Sequence, residues 1–266
     1  IKFNIDNIGS RFNDQGNKAS YIASFGDSYT FCRQVEDFET WQYLLSKKLN
    51  NKILNFGVGN YGLDQSLIRY NNTKLPASVK IVIMGVVPET ICRIHSYWKH
   101  YLEFGNTFAF KPRYKLKEGN LIYYENPIRG IEDFQIYESK LSDIQKNDIF
   151  YQKKFKSFQF RIPYSISFFK NLKRNSRLLL SLIKRKLLRV FKIDTPHSEL
   201  APFINLMRQN TFESHEMYKN KEYCDLLKSI ILKFKEDADI RGHKPILVIM
   251  PQLMDLNFSK ENNSTS

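Results

Sequence analysis

Three short apolar runs near the start of the chain each stop at a glycine. Residues 20–25 end at Gly26, residues 52–56 at Gly57 and residues 78–84 at Gly85. The stretches between them carry helical periodicity. The first holds Trp41, Leu44, Leu45 and Leu49 on one face, with Asp37 placed to cap the helix. The second predicts a helix over 63–72 with Asp64 near its start. The third apolar run is almost continuously β-branched, as a strand buried on both faces requires. Strand, helix, strand, helix, strand at this spacing predicts a parallel sheet. The expected class is α/β: a three-layer α/β/α fold with a mostly parallel sheet.

The rhythm lapses after about residue 103. Residues 108–126 predict a hairpin turning at Glu118-Gly119-Asn120. Residues 164–192 predict a long amphipathic helix, interrupted near Asn175, with Leu172, Ser176, Leu179, Ile183 and Leu187 in one stripe. The rhythm then returns. A helix over 213–241 carries Tyr223, Leu227, Ile230, Phe234 and Ala238 on one face, and Gly242 and Pro245 bar its continuation. Residues 246–250 predict a fourth strand. The expected division is 1–103 as the first part of the α/β domain, 104–210 as an insertion holding the hairpin and the basic helix, and 211–266 as the domain's returning part.

Charge is unevenly placed. The net is +14, from 41 Lys+Arg against 27 Asp+Glu, yet residues 149–193 hold 13 basic residues and no acidic one. The remainder is nearly balanced, at 28 against 27. The basicity therefore belongs to one segment, no recognition motif accompanies it, and no nucleic-acid partner is expected. Three readings of 164–192 stay open. The helix lies on an anionic membrane surface, or it collars an acidic polysaccharide, or it packs its leucine face on the domain and solvates its basic face. No apolar run reaches the ~18 residues of a membrane span, and no signal segment opens the chain, so a soluble fold is expected and the compartment stays open. The first residue is Ile, which suggests a partial translation product. Cys32, Cys92 and Cys224 form neither a disulfide framework nor a metal-ligand spacing.

Chemistry concentrates in the loops after the three glycine-terminated strands. Gly26-Asp27-Ser28-Tyr29-Thr30 follows the first. A serine at the C-terminal edge of a strand, on a tight turn into a helix, is exposed for attack, and the N–H groups after it face the developing negative charge. The plainer reading is that Asp27 or Ser28 only caps a helix. Asn55-Phe56-Gly57-Val58-Gly59-Asn60-Tyr61-Gly62 follows the second strand, and Val86-Val87-Pro88-Glu89-Thr90 follows Gly85. In an open α/β sheet that edge is where ligands bind. Gly57, Gly59 and Gly62 also fit a dinucleotide fingerprint. They follow the second strand, however, and no acid stands nearer than Glu89 at the end of the third, so no cofactor is expected.

Together these blocks resemble the SGNH (GDSL-type) hydrolase superfamily over about residues 7–93. Gly26 to Thr30 is similar to its first block, with Ser28 in the nucleophile's place. Residues 55–62 are similar to the second, which helps form the oxyanion hole. The loop after Gly85 stands where the third block, Gly-x-Asn-Asp, is found. Residues 4–12 (NIDNIGSRF) resemble the lead-in of one bacterial branch. The resemblance implies ester hydrolysis by an acyl-serine route, without a cofactor, on a small-molecule or carbohydrate ester, with O-acetyl groups a family habit. Ser28 attacks, and the N–H groups of Ser28 and Asn60, or of Gly57 or Gly59, hold the oxyanion.

The departures define the expectations to test. Asn60 stands where a glycine is usual, and Asn tolerates a left-handed backbone. Gly-x-Asn-Asp is absent. Glu89 and Thr90 are its nearest equivalents, and loss of one oxyanion donor costs ~3 kcal/mol, about a hundredfold in rate. Arg93 either faces the site to hold an anionic substrate or lies on the surface. The family's Asp-x-x-His is not reached before Ser266, so the expectation is a fragment, inactive as given. His95, on a helix after the third loop, is a stand-in base to be weighed; His243 is expected at the opposite edge of the sheet, and His100, His197 and His215 in or near the insertion. The alternative is a non-catalytic relative that binds or assembles.

Overall fold

Four parallel strands form the central sheet, in the order β2-β1-β3-β6: β1 (Ser20–Gly26), β2 (Lys52–Asn55), β3 (Ile81–Val86) and β6 (Lys244–Ile249). The computed structural model describes residues 2–13, 19–97, 110–156, 161–193 and 211–261. Alternating side chains send two sets of apolar residues to opposite faces. Ile22, Ile53 and Ile83 face helix α2 (Trp41–Leu49), where Trp41 and Leu45 cover them. Ala23, Phe25, Leu54, Val82 and Met84 face α3 (Leu63–Asn72) and the long α10 (Lys221–Ile240), which contribute Leu63, Leu67, Tyr70, Leu226, Ile230 and Phe234. The result is the expected three-layer α/β/α arrangement.

The strand order places a switch point between β1 and β3. From β1 the chain crosses outward to β2, then returns over β1 to β3. Connections leave the two central strands in opposite directions, which opens a crevice at their C-terminal ends. Gly26 and Gly85 are register partners at that point.

Several local expectations need correction. Asp37 opens only a short 3-10 turn, Asp37–Glu39, and Thr40 caps α2 through a bond from the Tyr43 N–H. Leu44 and Leu49 point outward, while Gln42 and Ser46 are buried. The reason is polar demand. Gln42 Nε2 donates to the Thr30 carbonyl (2.6 Å) and to Ser24 Oγ (3.1 Å), and Ser46 Oγ accepts from the Ile53 N–H (3.0 Å). The predicted 213–241 helix is two helices, α9 (211–218) and α10, because Asn220 restarts the chain by accepting from the Glu222 N–H.

The hairpin forms as predicted from β4 (Arg113–Lys117) and β5 (Asn120–Tyr124). Glu118 and Gly119 both take positive φ (52° and 79°), the type I′ geometry that matches strand twist. Tyr114, Leu116 and Leu121 pack onto the main core. Helices α5 (Ile131–Gln135) and α6 (Tyr137–Asn147) follow. The basic segment is two helices, α7 (Tyr164–Lys170) and α8 (Leu172–Val190), broken at Asn171 and not at Asn175. Asn175 is buried instead, and its amide donates to the Phe168 carbonyl (3.0 Å), pinning the junction. A last helix, α11 (Leu253–Glu261), follows β6.

Candidate active site

Ser28 opens α1 (Ser28–Phe31) at the switch point. The close pairing of Gly26 with Gly85 lets α1 descend onto the sheet: a Cβ at either glycine would meet Thr30 Oγ1, at 2.1 and 2.3 Å. Gly26 also holds φ +155°, which side chains rarely adopt. Ser28 is half-buried, and among the described residues its hydroxyl makes no hydrogen bond. It heads a helix whose first N–H groups have no intrahelical acceptor.

Asp27 takes the capping role that sequence reasoning set against a catalytic one. It is buried, and its carboxylate accepts from the Tyr29 N–H (2.9 Å) and the Val87 N–H (3.2 Å). Asp27 thereby joins the first loop to the third. Burial pushes its carboxyl pKa up, while Arg93 and those N–H groups oppose the rise.

The second loop is tied to the first by Val58, whose N–H donates to the Gly26 carbonyl (2.9 Å). Asn60 takes φ +62°, the left-handed conformation its amide side chain tolerates. Gly59 stands in open space, with nothing within 4 Å of a Cβ built there. Gly57 is different. Its N–H donates to Asn55 Oδ1 (3.0 Å), so that N–H is engaged in holding the loop.

The third loop is committed to structure. Thr90 is buried, and its Oγ1 accepts from the Leu63 N–H (2.9 Å), clamping the start of α3. Arg93 is buried too, not on the surface. It sits in α4 (Thr90–Ile94) and donates to Glu89 (2.7 Å), to the Tyr61 carbonyl (2.9 Å) and, more distantly, to Asp27 (3.4 Å). One guanidinium thus cross-links all three loops.

The described histidines divide sharply. His95 is buried, its ring edge-on to Tyr223 and its Nε2 3.4 Å from the Tyr223 carbonyl. Burial, with Arg113 as the next cause, pushes its pKa down to about 3, so it is a neutral core residue and not a proton acceptor for Ser28. His243 precedes β6 at the opposite edge, as expected, with Nδ1 2.8 Å from the Tyr70 hydroxyl. His100 and His197 lie outside the described residues.

His215 stands differently from its sequence position. It lies in α9, which packs against the third loop through Tyr218, whose hydroxyl donates to the Pro88 carbonyl (2.9 Å). His215 Nε2 is 3.4 Å from Asp255 of α11, and its ring stacks on Phe258. Burial raises the Asp255 pKa, with Glu89 adding to the rise. Burial likewise raises that of the Tyr29 phenol, and Asp27 and Asp255 add to it. The Tyr218–Pro88 bond thus ties the helix that carries His215 to the third loop.

Sequence reasoning also passed over Arg11. Its buried guanidinium donates to Asp37 and to the carbonyls of Phe31, Cys32 and Val35, each at 2.7 Å. Ser10 Oγ accepts from the Asn55 N–H (2.9 Å). The lead-in thus braces both the end of α1 and the start of the second loop. The one signal was its place in the NIDNIGSRF stretch.

No family model matches the chain, and no curated protein matches it. Among solved structures, an esterase (AlinE4, in an aspartate-to-alanine mutant form) is similar over 26% of this chain, at 22% identity and a TM-score of 0.23. The similarity spans 40% of that esterase's length.

Proposed function

We propose that the chain carries the nucleophile of a serine ester hydrolase acting through an acyl-serine intermediate. One observation carries this reading: the uncommitted Ser28 hydroxyl stands at the head of α1, at the sheet's switch point, with its neighbour Asp27 locked between two loops. Ser28 Oγ attacks the ester carbonyl. The N–H groups of Ser28 and Asn60, with Gly59 beside them, hold the oxyanion. In this reading His215, whose Nε2 lies 3.4 Å from Asp255, takes the serine proton and returns it to the leaving alcohol. Carbohydrate O-acyl esters belong to this proposal as a substrate class.

A fluorophosphonate probe tests it. Covalent labelling of the wild type and none of Ser28→Ala is expected; equal labelling of both sinks the reading. His215→Gln is expected to slow labelling at least tenfold. An unchanged rate would remove His215 and leave the role of Ser28 standing.

The third loop favours a second reading, a binding module on the same sheet. Glu89 stands where an amide donor is needed, and its carboxylate is held by Arg93. Folded protein in which Ser28 resists the probe at every pH would move the conclusion there.

A further inference from the structure

Helices α7 and α8 carry a large apolar surface that the fold leaves open. At 100° per residue, Leu172, Leu179, Ile183, Leu187 and Val190 fall within one narrow stripe of α8. All five are exposed, Leu187 at 50% and Val190 at 67%. Ile166 and Phe169 of α7 are exposed as well. Among the described elements, α8 makes substantial contact only with α7. Among the described residues the stripe has no substantial packing on the domain, which counts against the plainest of the three sequence readings.

Charge decides among the occupants. Lys173, Lys184 and Lys186 flank the stripe, Arg177 and Arg185 lie further round the helix, and neither helix holds an acidic residue. An acidic polysaccharide would satisfy the cations and leave the leucines in water. A second copy of the chain would cover the leucines but bring two uniformly basic helices together. An anionic bilayer answers both demands. The stripe enters the boundary between headgroups and acyl chains, and the basic flanks meet lipid phosphates. The helix spans about 28 Å, at 1.5 Å per residue, and no helix of the described residues is long and apolar enough to cross a membrane. Its charge content, not its length, is what fits an in-plane placement.

We propose that α7 and α8 form an arm that docks this protein on the surface of anionic membranes. The arm does not depend on the role of Ser28.

Co-sedimentation of the chain with phosphatidylcholine vesicles, with and without 30% phosphatidylglycerol, tests the proposal. Binding to the anionic vesicles alone is expected, weakening severalfold between low and high salt. A triple variant, Leu179→Ser with Ile183→Ser and Leu187→Ser, is expected to lose it. A second, Lys184→Gln with Arg185→Gln, is expected to weaken it about fivefold per cation removed. These side chains are exposed, save the half-buried Arg185, and unchanged melting temperatures confirm that the variants fold. Ser28→Ala binds like the wild type. No binding of the wild type at low salt overturns the proposal. Binding that ignores the leucine substitutions overturns it in favour of a purely electrostatic partner. A concentration-dependent dimer abolished by the same substitutions overturns it in favour of a second copy.

Discussion

Single residues hold the three loops of the candidate site together, and Arg93 shows how. Its guanidinium lies between the buried carboxylates of Asp27 and Glu89. Replacing it by Met leaves two carboxylates buried side by side without a cation. A buried pair broken from one side costs about 3–5 kcal/mol. Urea unfolding of Arg93→Met at pH 7 is expected to show a loss in that range, shrinking toward pH 5 as the carboxyls take up protons. A loss under about 1 kcal/mol would mean that water reaches the pair. The sequence showed Arg93 at the right place in the chain, but not whether it faced inward. That depended on Asp27, 66 positions away.

At the scale of elements, helices and strands rest on buried polar contacts as much as on leucines. The start of α3 is the clearest case. Asp64 and Lys111 are both buried and meet at 2.6 Å, joining α3 to the segment that leads into the hairpin. Burial pushes the Lys111 pKa down, and Asp64 opposes that. Lys111→Met leaves the Asp64 carboxylate alone in the interior, and a loss of about 3–5 kcal/mol is expected. The double variant Lys111→Met with Asp64→Leu is expected to recover most of it, since an apolar pair of similar volume replaces an ion pair at little cost. Thermal or urea unfolding of the set checks both statements. Sequence periodicity located α3 to the residue. It misjudged α2 because the helix buries Gln42 and Ser46, which answer backbone groups that periodicity does not register.

At the scale of the whole molecule, acid sensitivity follows from a histidine kept neutral in the core. His95 is held at about 3 by burial, against an ordinary 6.5. Between those values the unfolded chain binds a proton that the folded chain refuses. Its contribution is complete above pH 6.5 and is lost as pH falls, by about 1.4 kcal/mol per unit. Asp27 and Asp255, whose carboxyls are pushed up, act in the opposite sense. The comparison that isolates His95 is the wild type against His95→Asn. Their stability difference is expected to tilt across pH 6.5–3.5; parallel profiles would place the imidazole in contact with water.

By itself, the sequence determined the α/β class, the parallel strands, the hairpin turning at Glu118-Gly119-Asn120 and the position of Ser28 after a glycine-terminated strand. These are local matters of periodicity, β-branching and backbone freedom, legible over a few residues. It did not show that Thr90 and the Gly57 N–H are engaged in clamping loops, that Arg93 and Arg11 brace the site, that His95 is buried and neutral, or that His215 meets Asp255. Each of those depends on partners brought together across the sheet. Burial and long-range pairing set the chemistry of these side chains, and only the tertiary structure decides them.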